Sequence, residues 1–435
     1  MSEISLEELV EEREFLDILQ PHVEVFLRLA NTLLDRVGEE WTRSHYFQLL
    51  SATDSLESVL DEFGARYNRT YGHLTELVAS LRWFAHTGFS ITHLLRRLDS
   101  YVVKFPTPAE HAEARVAIDG IGAFVRSSAG RLLGAIRSEA NHVGLVVPTE
   151  TQPESDFAPV VVRRRLSRNV GQAVLVDEKQ KIAEVASKFL QVCESLSKLD
   201  IRRIEDPHER ARYLAANCTE EQARVYEAQV HNLQSIYDTH IANTVLEAQD
   251  SRLPVLRGHV SVALHLLEAV TFLTHFVERH EDEERRVSGK ERISALVVRA
   301  EVQKVILHEL LRWTYRTVHA GAGTARGLLP SYMNVMTLEV RLAEGIALHA
   351  RPVALIVGIV NRYGTPVEME VNGTVANAGS ILKMLMAVGS NPDERRFVFR
   401  GNERTLRDIQ LLFESDLGEH GLAGLPDELD YLREH

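Results

Sequence analysis

Cysteine is scarce. Cys193 and Cys218 are the only two in 435 residues, too few for a disulfide framework and, alone, too few for a zinc cluster. A reducing cytoplasm suits such a chain. A basic excess is lacking too: 49 Lys and Arg face 62 Asp and Glu, a net charge of −13. That sets aside nucleic-acid coating and adhesion to an anionic membrane as main functions. No run of about 20 uncharged apolar residues occurs. The nearest, Val260 to Val277, is cut by His265, Glu268 and His275, so no membrane insertion is expected. The opening stretch MSEISLEELVEEREF is acidic and has no apolar signal core. A nucleotide loop is missing as well: Gly321-Ala-Gly323 has neither the strand, the spacing nor the lysine of a P-loop. No cofactor is expected. What remains is an ordinary globular composition, 45% apolar and 26% charged, in a chain long enough for roughly two to four domains.

Most of the first 330 residues read as helix. Phe15, Leu19, Val23, Phe26 and Leu27 recur at helical spacing. Ile182, Val185, Phe189, Val192, Leu196 and Leu199 alternate steps of three and four, a heptad seam that offers self-association or internal helix docking. Thr219-Glu220-Glu221-Gln222 has capping-box form. Leu256 to Val277 is apolar around most of its circumference, as a buried bundle helix requires. Short collinear matches hint at a duplication. Leu29-Ala-Asn-Thr-Leu-Leu-Asp35 resembles Ile241-Ala-Asn-Thr-Val-Leu-Glu247, Arg43-Ser-His45 resembles Arg257-Gly-His259, and Leu94-Leu-Arg96 resembles Leu310-Leu-Arg312. Chance likeness between amphipathic helices is the equal alternative. The related units would run over roughly 12–104 and 224–320, Lys104-Phe-Pro-Thr-Pro108 ends the first of them, and Pro148, Pro153 and Pro159 mark a linker. That linker holds Arg163-Arg-Arg165-Leu-Ser167, more in keeping with a solvated edge than with a kinase site. The expected organisation is helical unit 1 over 1–144, a linker over 145–175, helical unit 2 over 176–330, a small domain over 333–418 and a tail over 419–435.

The pattern changes after residue 332. Met336, Leu338 and Val340 alternate with polar residues, as a strand buried on one face does. A helix follows over 351–361. Val367, Met369 and Val371 alternate next, and Asn372-Gly373 supplies a hairpin turn. A short strand, a helix over 380–388, a strand over 396–400 and a last helix carrying Leu406, Ile409, Leu412 and Phe413 complete the order β-α-β-β-α-β-α. The fold class is therefore multi-domain: all-α bundles, then an α+β layer of antiparallel strands with helices on one face.

Chemistry concentrates at Gly345-Ile-Ala-Leu-His349-Ala-Arg351-Pro352, between the first strand and first helix of that domain. Pro352 belongs in the first helical turn, where a missing N–H costs nothing. His349 thus sits at the helix mouth, where unpaired amides and the dipole make an anion site. Imidazole titrates near neutrality, so an unprotonated ring nitrogen can serve as nucleophile. Arg351 adds a forked, permanent cation for phosphate oxygens.

These residues resemble HPr, the histidine phosphocarrier of the bacterial phosphoenolpyruvate:sugar phosphotransferase system. Residues 334–418 are similar to that family through Leu348-His349-Ala350-Arg351-Pro352 and through Asn377-Ala378-Gly379-Ser380-Ile381-Leu382-Lys383-Met384-Leu385-Met386-Ala387-Val388-Gly389. The resemblance implies an open-faced sandwich of a four-stranded antiparallel sheet and three helices. It implies His349 as phosphoryl acceptor, Arg351 as its electrostatic partner and no independent catalysis. An enzyme I-like phosphotransferase would supply the phosphoryl group and a downstream acceptor protein would remove it. Ser380 matches the family's regulatory phosphorylation site, addressed by an HPr kinase, and is equally a competent N-cap. Ile381, Leu382, Met384 and Leu385 are the candidate docking face for partners. Two positions depart from the family: Ala347 stands where glycine is usual, so the loop entering the site should differ, and Gly379 stands where lysine is common. No metal site is expected, because Glu205-Asp-Pro-His208 lies at a proline break and His73–Glu76 and His265–Glu268 run in the reverse order of a bundle metal motif. The helical region would sense, dimerise or present the carrier. The other reading is a regulatory adaptor whose HPr-like domain is a phosphorylation switch without sugar transport.

Overall fold

The computed structural model describes residues 9–36, 38–158, 178–279 and 290–433. The basic run at Arg163–Arg165 with Ser167 and the far part of the expected linker lie outside the described residues.

The chain forms two compact units: Met1–Asn169 with Leu196–Val230 and Ser261–Thr317, and Val170–Ser195 with His231–Val260 and Val318–His435. This differs from the organisation expected above, because the division falls within long helices. The reason is visible in α9 (Arg252–Arg279). It is apolar nearly all round, so Val262, Leu266, Leu273 and Phe276 join the core of the first unit, while Leu253, Leu256 and Val260 are buried in the part assigned to the second. α9 is long and apolar enough to cross a membrane, but 78% of its most apolar window is buried within the protein, as in a core helix.

The first unit opens with α1 (Glu12–Asp35), α2 (Arg43–Glu62), α3 (Gly72–Arg97) and α4 (Pro108–His142). Thr42 caps α2 in a reciprocal box with His45. Thr107 caps α4 with Pro108 directly behind it. The 104–108 break is therefore the corner between α3 and α4, which pack along each other, rather than the end of a unit. Leu19, Phe26, Leu77, Phe84, Leu132 and Ile136 share one core with Leu266, Leu307 and Leu310.

Residues 145–158 are not a free linker. Asn31 donates to the carbonyls of Pro148 and Glu150 at 2.8 and 3.0 Å, Thr32 accepts from Gln152 N–H at 2.8 Å, and Phe157 is buried. Polar side chains facing out of α1 thus hold an extended strap. The proposed repeat finds no counterpart here. Asn31 and Thr32 lie inside a helix, whereas Asn243 has φ +65° and Thr244 caps α8 (Val245–Gln249).

α5 (Glu178–Ser197) buries the five seam positions it carries, and Leu199 just beyond its end is buried too, so that seam is spent within the chain. α6 (Pro207–Asn217) precedes α7 (Glu220–His240). The box before α7 forms as expected: Thr219 and Gln222 bond reciprocally at 2.9 and 3.3 Å. α10 (Lys290–Leu296) and α11 (Arg299–Lys304) lead through a π turn at Val305–Leu311 into α12 (Arg312–Tyr332). Both cysteines are buried thiols, outside any disulfide, and burial pushes each up to about 12.

The second unit ends in the open-faced sandwich: β1 (Val335–Arg341), α13 (Ala350–Tyr363), β2 (Glu368–Val371), β3 (Thr374–Asn377), α14 (Ile381–Gly389), β4 (Arg396–Asn402) and α15 (Glu403–Glu414). The sheet is antiparallel in the order β1-β4-β2-β3. Asn372 and Gly373, at φ +46° and +78°, make the hairpin. Val340, Met369, Phe397 and Phe399 bury one face against Ile356, Ile359, Met384 and Ile409. Met336, expected on the same face, stays 47% exposed on edge strand β1.

Two further pieces belong to this unit. Past α15, Leu417, Leu425, Leu429 and Leu432 enter the sandwich core, and Tyr363 and Tyr431 both donate to Asp408 at 2.8 and 2.6 Å. The expected tail is thus an integral strap. α5 also lies against the sandwich. A Cβ on Gly364, the left-handed cap of α13, would meet Glu184 Cγ at 2.6 Å, and Arg404 donates to Gln180 at 3.0 Å.

Candidate phosphoacceptor site

His349 is the N-cap of α13. Its backbone is extended, its carbonyl accepts from Val353 N–H at 3.1 Å, and Nδ1 accepts from Arg351 N–H at 3.4 Å. Pro352 is buried in the first turn, where it removes an amide that would otherwise need an acceptor. The loop reaches this point by a turn at Gly345, φ +83°, closed by Ile346 N–H on the Ala343 carbonyl at 3.1 Å. Ala347 is not in the left-handed region. The positive φ sits two residues earlier, which is how an alanine is accommodated there.

The ring is half-exposed, and Nε2 faces Glu419 Oε1 at 2.8 Å. That contact is an ion-pair distance without hydrogen-bond alignment; the tautomer follows instead from Nδ1 accepting from Arg351 N–H, which puts the lone pair on Nδ1, on the side of the helix mouth. Glu419 arrives there because the chain reverses sharply after α15: Asp416, Leu417 and Gly418 all have positive φ, at +51°, +55° and +71°. Leu417 in that region is costly, and its burial at 1% exposure offsets the cost. Arg351 is exposed and its guanidinium has no partner among the described residues. The helix-mouth amides and the Arg351 cation can hold an anion against Nδ1.

Glu419 escapes sequence reasoning. It lies 70 positions from His349 in a stretch without periodicity. Only the Gly418 and Gly421 flanking it hinted at a turn.

Ser380 is the N-cap of α14, half-buried, accepting from Lys383 N–H at 3.4 Å. Gly379 donates to Asn377 Oδ1 at 2.8 Å, and a Cβ there would come within 3.2–3.3 Å of Asn377 and Val360. The docking candidates divide. Ile381 and Leu382 are 42% and 69% exposed, Leu385 is half-buried against the core, and Met384 is fully buried. Met384 is therefore a core residue and leaves the docking set. Met386, 64% exposed and one turn beyond Leu382, takes its place.

Three histidines of the helical region have separate polar partners. His265 pairs with Glu268 at 2.9 Å, His275 with Glu220 at 2.9 Å, and His308 bonds the Ile204 backbone at 3.0 Å.

The C-terminal domain is thus an open-faced sandwich with a half-exposed imidazole at the mouth of its first helix. Residues 335–413 match the family described as PTS HPr component phosphorylation site. The C-terminal domain is HPr-like in sequence and in fold; the helical region matches no family. No curated protein and no solved structure significantly matches the chain.

Proposed function

We propose that this protein is a histidine phosphocarrier of a phosphoenolpyruvate-dependent phosphotransferase system. An enzyme I-like phosphotransferase delivers the phosphoryl group to His349 Nδ1, and a downstream acceptor protein removes it. The observation that carries the reading is the ring's arrangement: Nε2 lies 2.8 Å from the Glu419 carboxylate, and Nδ1 is turned to the α13 N-terminus, where it accepts from Arg351 N–H. Attack by Nδ1 places the incoming phosphoryl oxygens at amides and beside Arg351, so charge is met by donors already in position. The site is a carrier, not an independent catalyst. Ile381, Leu382 and Met386 supply the apolar docking surface for donor and acceptor. Ser380 is proposed as a regulatory phosphorylation site for a kinase. The setting proposed is the cytoplasm.

A second reading is supported by the packing of α5 on the sandwich beside Asn377 and Gly379. There the domain is a switch whose phosphorylation state reaches the helical region. One experiment separates the two. Full-length protein is incubated with labelled phosphoenolpyruvate and an enzyme I. Acid-labile label that is absent in His349→Ala and passes on to a sugar-specific acceptor protein supports the carrier. Label that stays on His349 in the presence of acceptors supports the switch. No label on the unaltered protein overturns both.

A further inference from the structure

A second site for anions lies wholly in the first unit, in a cavity of about 780 Å³ between the mouth of α2 and the facing sides of α3 and α4. That volume is suited to a small metabolite. α2 is 20 residues long. At its start Thr42 is fully occupied by His45, while the first-turn amides of Arg43 and Ser44 have no intrahelical acceptor. Ser44 lines the cavity and its hydroxyl makes no hydrogen bond among the described residues. Arg126 lines it from α4 and has no ion pair or hydrogen bond among the described residues.

Tyr46 is the independent sign of a ligand. The side chain is 2% exposed, its ring edge laid so closely on Gly88 that a Cβ there would meet it at 2.0 Å. A buried phenol ordinarily finds a partner. This one has none among the described residues, yet its oxygen is not sealed, since Tyr46 lines the cavity. Burial pushes the phenol well up, so it stays a donor at neutral pH, with Arg126 acting on it in the opposite sense.

We propose that this cavity binds a hydroxyl-bearing phosphate monoester, its phosphate gripped by the α2 N-terminus, Ser44, Tyr46 and Arg126. The donors converging there exceed what the two oxygens of a carboxylate can accept, whereas three phosphate oxygens can use them. Trp41 and Phe157 form an apolar wall for the body of the ligand. Glu40 and Asp119 also line the cavity, and both act on Arg115, another lining residue. They accept from hydroxyls and repel a second anionic group. The site is independent of phosphoryl transfer at His349.

Trp41 is one of three tryptophans and reports occupancy. Intrinsic fluorescence of the full-length protein is titrated with inorganic phosphate, glucose 6-phosphate, adenosine 5′-monophosphate, glucose and gluconate. Saturable binding is expected for inorganic phosphate and for at least one of the two esters, weakening as salt rises and unchanged in His349→Ala. Arg126→Gln should weaken binding at least about tenfold, and Tyr46→Phe, which keeps the ring on Gly88, about threefold to tenfold. If Arg126→Gln fails to fold, Tyr46→Phe and Ser44→Ala carry the same comparison. No phosphate-bearing probe bound at millimolar concentration, gluconate bound as well as the phosphates, or binding indifferent to the variants overturns the proposal.

Discussion

A nucleophilic imidazole must present one nitrogen with its lone pair free, aimed where the electrophile arrives, and Glu419 supplies that constraint at 2.8 Å from Nε2. Without the carboxylate the ring can rotate about its side-chain bonds and exchange tautomers, so part of the population presents N–H instead of a lone pair. An ion pair with a half-exposed partner is worth roughly 0.2–1 kcal/mol. Glu419→Ala should therefore slow phosphoryl acceptance by up to about fivefold, with the circular dichroism spectrum and melting temperature little changed. Glu419→Gln keeps an acceptor oxygen and should fall between the two. Initial rates with labelled phosphoenolpyruvate and an enzyme I measure this. Acceptance by Glu419→Ala at the unaltered rate, or faster, would mean that the carboxylate obstructs the site rather than positioning it.

At the scale of elements, the sandwich was legible almost throughout. Alternation marked β1, β2 and β4, Asn372-Gly373 fixed the hairpin, and His349-Ala-Arg351-Pro352 located the start of α13, because each signal is local in sequence. α14 shows where locality ends. Ile381, Leu382, Met384, Leu385, Met386 and Val388 crowd nine residues, and with so few polar positions no polar stripe says which apolar side chains stay outside. The two classes should separate on substitution. Met384→Ala removes a side chain with 0% exposure and should cost about 2–5 kcal/mol, read as a lowered melting temperature. Leu382→Asp with Met386→Asp changes exposed positions and should move stability by no more than about 1 kcal/mol, while transfer from enzyme I to the domain falls sharply. Transfer undiminished in the double variant would place docking elsewhere. The strap after α15 was not legible at all. Its short turns carry neither period, and only the finished fold reveals that Leu425, Leu429 and Leu432 are core.

For the molecule as a whole, the sequence correctly divided helical from mixed architecture but drew the compact units in the wrong places. Apolar stripes say that a helix is buried, not which core it serves, and α5 shows the difference. Its first eighteen residues belong to the unit that contains the sandwich, and its tightest approach is at Gly364. That glycine has φ +63°, and Glu184 Cγ occupies the space its Cβ would need. Glu184 cannot easily retreat. Burial alone would push its carboxyl up, but Lys181 and Lys188, each at 2.7 Å, outweigh that, hold it below its ordinary range and pin it in place. Gly364→Ala should thus meet two separate costs, about 1–2 kcal/mol for the left-handed backbone and a further steric cost against α5. Adding Glu184→Ala should relieve the second and leave the first, a coupling that a double-mutant cycle isolates. Hydrogen exchange locates the effect. In Gly364→Ala, amides of α5 from about residue 180 to 195 should lose protection together with the end of α13, and the double variant should recover part of it. Loss confined to α13, with α5 protected as before, would show that the helix holds to the sandwich by contacts other than this one.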